Sequence, residues 1–288
     1  MIDRYVETVR ALRTVNQFNR FHLELEGVLG PAEFADLADR ILAFDPPLPD
    51  AGLHWARALR ELLARSGRAP QAMPGYAIAP MAHFYRSGNA ALPRESRTLV
   101  VCFTDAPMRM MMPLPLFLQH CPSTAHDYLV LRDPRRAWFL DGIDGLGGDV
   151  PGIAASLDRL ASPRAYRRAV TLGVSAGGLA AWWTAIALGF ARAVSVGGTL
   201  PESIIGIPAA GGRSTAGFDD LVQARGGALP ELVYVYGEDH GHDREKAALA
   251  AARVPATLVA VPSVGRHNVF YDTFLRGELA PLLERLIS

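Results

Sequence analysis

A serine stands inside Gly173-Val174-Ser175-Ala176-Gly177, between the apolar, β-branched run "RRAVTLGV" and the alanine-rich run "GGLAAWWTAIALG". A serine hydroxyl is a poor nucleophile until a base takes its proton. A sharp turn from strand to helix would lift it clear of a sheet edge, and such a turn needs small neighbours so that backbones can approach. Gly173, Ala176, Gly177 and Gly178 meet that need. The helix that follows offers free N–H groups and partial positive charge, both suited to an oxyanion. The chemistry expected of such a serine is attack on a carbonyl.

The base expected for Ser175 is His267 in "VPSVGRHNVF", between the last strand-like run and the last helical run. His240 and His242 also follow a strand-like run in the second half of the chain. An acid between serine and histidine comes from "GEDHGHDREK", which holds Asp239 near the strand end and Asp243 farther along. Asp243 also sits where a helix begins, and aspartate is a favoured N-cap there. The sequence leaves Asp239 and Asp243 both open. His240-x-His242 alone is too little for a metal site, so no metal and no cofactor are expected. "DGIDGLGGDVPG" lacks the lysine of a phosphate loop. Cys102, inside a strand-like run, reads as a buried apolar residue.

These residues need a frame. "RTLVVCFT", "DYLVLRD", "RAVTLGV", "RAVSVGG", "ELVYVYG" and "ATLVAVPS" read as buried strands, and "GYAIAPMAHFYR" as a strand or hairpin. Helices are expected near 107–120, 151–162, 177–190, 242–252 and 268–287. Apolar strands alternating with helices predict a parallel sheet covered on both faces, an α/β fold. Ligands bind such sheets beyond the carboxyl ends of the strands, where Ser175, His267 and both aspartates fall. Residues 1–70 read as a helical extension, with helices over 2–26, from Pro31 to about Ala43, and from about Ala51 to Arg65. The stretch from Pro31 to Arg68 has the look of one tetratricopeptide-type helix hairpin, but a single unit cannot build an array. Residues 71–288 form the expected catalytic domain, with a short glycine-rich flap over about 199–228.

From about residue 75 onward the chain resembles the α/β-hydrolase fold serine hydrolases. The residues that carry this are the Gly173–Gly177 elbow, the acid loop after "VYVYG", and "GRHNV" before the C-terminal helix. The resemblance implies a triad in the order Ser175, acid, His267. Many members place the acid three residues after the glycine that ends the strand, and here that position is His240. The resemblance also implies an oxyanion hole from the backbone N–H of Ala176 and of Thr104 or Asp105 in "VVCFTDAPMRMMMP". The expected activity is hydrolysis of a small-molecule ester or thioester through an acyl-serine. An acyltransferase on the same scaffold and a non-catalytic binding module are the alternatives.

Charge fits a small-molecule partner. The 29 basic and 29 acidic residues cancel, which gives no reason to expect nucleic acid or an anionic membrane. The N-terminal stretch has charges every few residues and no apolar core of a secretory signal, no run is long enough to span a bilayer, and two cysteines make no disulfide framework, so the expected location is cytoplasmic.

Overall fold

A computed structural model describes residues 2–69, 72–205 and 213–288. Among them an eight-stranded sheet runs in the order β1-β2-β4-β3-β5-β6-β7-β8. β1 (Gly75–Ala79) and β2 (Ala82–Tyr85) form an antiparallel hairpin, and β2 pairs antiparallel with β4 (His126–Leu131). From β4 through β3 (Thr98–Phe103), β5 (Arg168–Val174), β6 (Arg192–Val196), β7 (Glu231–Gly237) and β8 (Ala256–Val261), every pairing is parallel. This order, with its antiparallel second strand, is the α/β-hydrolase arrangement.

Side chains alternate across each strand, so one strand feeds two cores. Leu99, Val101 and Phe103 of β3 join a cluster with Leu157 of α6 (Val150–Ala161), Trp182 of α7 (Gly178–Leu188) and Ala250 of α10 (Gly241–Arg253). Val100 and Cys102 face the other way, toward Phe117 of α5 (Leu114–His120), Phe270 of α11 (Val269–Leu275) and Leu283 of α12 (Leu279–Ile287). Cys102 and Cys121 are both buried.

The N-terminal helices have a core of their own. α1 (Ile2–Ala11), α2 (Val15–Leu25), α3 (Pro31–Leu42) and α4 (Asp50–Arg65) meet around Phe18, Phe34, Leu37, Ile41 and Leu59. The one helix expected over 2–26 is two. Thr14 and Gln17 make a reciprocal capping box that starts a new helix inside the stretch. The last helix also divides, because Gly277 takes φ +74 between α11 and α12. The helix expected from 107 begins only at Leu114, since Pro107 and Pro113 bracket a loop in which Met108 and Met111 are left-handed. The boundary expected at 70/71 lies outside the described residues.

The segment after β6 contains α8 (Pro201–Ile205) and α9 (Ala216–Arg225), while residues 206–212 of the expected flap lie outside the described residues. Arg253 of α10 reaches both helices, donating to Glu202 and, at 2.6 Å, to Asp219. Phe218 of α9 lies buried edge-on against Trp183 of the elbow helix α7, ring centroids 5.9 Å apart. No helix among the described residues is long and apolar enough to cross a membrane.

Phe34 is fully buried and packs at 5.4 Å from the His22 ring. Phe34→Ala is expected to lower stability by about 3–5 kcal/mol through the cavity it leaves, read from urea unfolding curves.

Candidate active site

Ser175 follows β5 directly and takes φ +48, a left-handed conformation that a non-glycine residue holds only when its surroundings impose it. The surroundings are tight. A Cβ on Gly173 would stand 2.3 Å from the Gly177 carbonyl oxygen, and one on Gly177 would stand 2.4 Å from that of Phe103. The turn can therefore exist only with glycine on both sides of the serine. A 3-10 turn, Ser175–Gly177, leads into α7, and the Ser175 carbonyl is held by the Gly178 and Thr199 N–H groups.

The hydroxyl meets an imidazole there. Ser175 Oγ lies 2.9 Å from His267 Nε2, and His267 Nδ1 lies 2.8 and 3.0 Å from the two oxygens of Asp243. The carboxylate draws the imidazole proton to Nδ1, which leaves Nε2 free to accept the serine O–H. Burial pushes the Asp243 carboxyl upward, but the hydrogen bond and charge of His267, aided by Lys246 and His240, outweigh it and hold the group below the ordinary carboxylate range. The arrangement can move a proton from Oγ to Nε2 and stabilise the imidazolium that results.

Asp239 is placed elsewhere. Its side chain is exposed, and its backbone N–H donates to the Val264 carbonyl at 3.1 Å. Asp243 is fully buried, with its carboxylate turned to the histidine loop. The helix-capping role read for Asp243 belongs to His240, which is the N-cap of α10. His240 Nδ1 stands 3.3 Å from the Asp243 N–H and 3.1 Å from an Asp243 carboxylate oxygen. One ring nitrogen cannot accept the first and donate to the second, so the protonation state of Nδ1 selects its partner.

The expected oxyanion donors divide. Ala176 is the second residue of the turn, where N–H groups have no partner within the turn. The N–H groups of Thr104 and Asp105 are already engaged, donating to Leu131 O at 3.2 Å and Arg109 O at 2.9 Å. β3 pairs with β4 as far as its end, and the loop then closes on itself through Asp105. This corrects the expectation for both residues: a second donor must come from another group or from opening of the Asp105–Arg109 turn. The four methionines of that loop divide too. Met110, Met111 and Met112 are buried in the sheet core, whereas Met108 is only partly covered. A cavity of about 280 Å³ separates the loop from Asn268 and Tyr271, beside His267.

Nitrogen and oxygen atoms of His240, Asp243 and His267 lie within 4.8 Å of one another, close enough for a metal ion. An ion there would take up the Asp243 carboxylate and break its bond to the imidazole.

Sequence reading missed Gly197. It directly follows β6 with φ +54, and a Cβ there would stand 2.9 Å from His267 Cε1 and 3.1 Å from an Asp243 oxygen. A conformation open to glycine thus forms the floor under the imidazole. Lys246, 3.7 Å from Asp243, was also missed; only its spacing of three residues along α10 could have pointed to it.

No family model matches the chain, and no curated protein does. Solved structures similar to it include a fluorophosphonate-binding serine hydrolase of Staphylococcus aureus, FphF, at 12% identity over 75% of this chain and 98% of that one, TM-score 0.49. Another is esterase B from Lactobacillus rhamnosis carrying a phosphonate, at 18% identity over 81% and 93%, TM-score 0.49. A 2,6-dihydroxy-pseudo-oxynicotine hydrolase is similar over 98% of this chain and 88% of its own, at 14% identity and TM-score 0.49. The fold assignment rests on sheet order and elbow.

Gly197→Ala is expected to slow fluorophosphonate labelling of Ser175 by on the order of 10²-fold, because it displaces the imidazole. Its backbone strain should also lower stability by about 1–3 kcal/mol in urea. Asp105 gives a pH effect. Burial pushes its carboxyl from 3.8 up to about 6, against the backbone donors of Arg109 and Met111. The folded state holds that proton more tightly than the unfolded chain, so stability should fall as pH rises from about 4 to about 6. Asp105→Asn should remove this component of the decline, read from urea midpoints across that range.

Proposed function

We propose that this protein is a serine hydrolase that cleaves an ester or thioester of a small molecule through an acyl-serine intermediate. The observation that carries the reading is the unbroken relay from the Ser175 hydroxyl through both nitrogens of His267 to the buried Asp243. Ser175 Oγ attacks the substrate carbonyl while its proton passes to His267 Nε2. The carbonyl oxygen becomes an oxyanion, which the Ala176 N–H is placed to receive. His267 then gives the proton to the departing alcohol or thiol as its bond to the acyl carbon breaks. Water attacks the acyl-serine with His267 again as base, and the acid product leaves with the serine restored. Asp243 holds the imidazole in the required tautomer and balances its charge. The chain's two cysteines, both buried, make no disulfide framework, and we place the enzyme in the cytoplasm on that ground.

A fluorophosphonate probe is expected to label the protein, and Ser175→Ala to abolish that label while the far-ultraviolet dichroism stays unchanged. Turnover of p-nitrophenyl acetate should drop on the order of 10³- to 10⁴-fold in Asp243→Asn, but by less than about twofold in Asp239→Asn. A folded protein that takes no label would overturn the reading.

A further inference from the structure

His240 stands against Asp243, the acid of the relay. It immediately precedes α10, and Asp243 is the third residue of that helix. The turn between them sets His240 Nδ1 3.1 Å from Asp243 Oδ2 and 3.3 Å from the Asp243 N–H. The His240 side chain is a quarter exposed, and its ring centre lies 6.0 Å from that of His267.

The Asp243 carboxylate is fully buried, so the groups that face it set its orientation. His267 Nδ1 lies 2.8 Å from Oδ2 and 3.0 Å from Oδ1. The Lys246 ammonium lies 3.7 Å from Oδ1, beyond hydrogen-bond reach. The terminal torsion of an aspartate is broad and roughly two-fold, so a single imidazole fixes it poorly. A second donor on Oδ2 would fix it.

His240 Nδ1 can serve only one of its two neighbours. With a lone pair there, it accepts the Asp243 N–H but sets ring nitrogen and carboxylate oxygen, two acceptors, 3.1 Å apart. With a proton there, it donates to the carboxylate. The loss is one N–H of the first helical turn, which has no acceptor within the helix in either case. Charge decides between them. A hydrogen bond to an ionised group is roughly twice as strong as one between neutral groups. The carboxylate therefore draws the His240 proton to Nδ1, as it does that of His267.

We infer that His240 is a positioning residue: its Nδ1–H holds Oδ2 of Asp243, so that the carboxylate meets the Nδ1–H of His267 in one orientation. The inference deepens the serine-hydrolase reading and rests on it. His240 acts on the serine through Asp243 and His267, and the acid of the relay is shared by two imidazoles.

Nitrogen-15 NMR of the full-length protein at about pH 8.5, where an unperturbed imidazole is neutral, reads which ring nitrogen of His240 carries the proton. The His240 signals are assigned by their loss in His240→Asn. A protonated Nδ1 is expected; a bare Nδ1 would overturn the inference and leave His240 as a helix cap only. The kinetic arm follows fluorophosphonate labelling over a range of probe concentrations. His240→Ala should lower the maximal labelling rate about tenfold, while the probe concentration that gives half of that rate stays within about twofold. His240→Asn, whose amide can present an N–H where Nδ1 stands, should recover the rate to within about threefold of the parent. Undiminished maximal labelling of folded His240→Ala, or a loss that His240→Asn does not recover, would also overturn the inference. A parent protein that takes no label would overturn the serine-hydrolase reading instead, and the nitrogen-15 signal would still decide whether His240 holds the carboxylate.

Discussion

The imidazole of His267 hangs between three elements that are far apart in the chain. The elbow after β5 brings the hydroxyl to one ring nitrogen. The first turn of α10 brings a buried carboxylate to the other, 24 residues before the histidine. The end of β6 brings Gly197, which has no side chain to push the ring away. Parallel pairing of β5, β6 and β7 sets these three strand ends side by side at one edge of the sheet. The register of the sheet is therefore the constraint on which the chemistry depends. A slip at any of these pairings would separate Ser175 from His267.

Much of this was legible in the sequence, for reasons that are local. Each parallel strand is buried on both faces and so reads as a continuous apolar run. The elbow announces itself because its steric demands fall on neighbours within three positions of Ser175. Asp243 was harder. Both aspartates of "GEDHGHDREK" stand near a strand end, and what separates them is the rotation of the first turn of α10, which turns Asp243 inward and leaves Asp239 in solvent. Periodicity does not report that rotation when the helix carries alanine on most of its faces.

What stayed hidden depends on distant partners. The N–H groups of Thr104 and Asp105 look free in a sequence, because their acceptors, Leu131 and Arg109, are set by strand pairing and by a loop closure built on left-handed methionines. Gly197 carries no motif, and only the position of the imidazole gives it meaning. Glu26 reads as one more charge at a helix end. Its burial follows from the docking of the N-terminal layer onto the sheet domain, where it accepts the N–H of Leu114 at 3.3 Å and its own carbonyl accepts the Tyr85 hydroxyl. The helical layer thus reaches the loop after β3 through a buried ion cluster, and the two share part of a single interior.

The contact between Phe218 and Trp183 carries a mechanical implication. Trp183 sits on the helix whose first residues shape the serine turn, and Phe218 sits on the helix that closes the segment after β6. With Arg253 bridging Glu202 and Asp219, the far side of that segment is tethered to the helix that supplies Asp243. A force that moves α9 would therefore act at once on the helix that begins beside Ser175 and on the helix that carries Asp243.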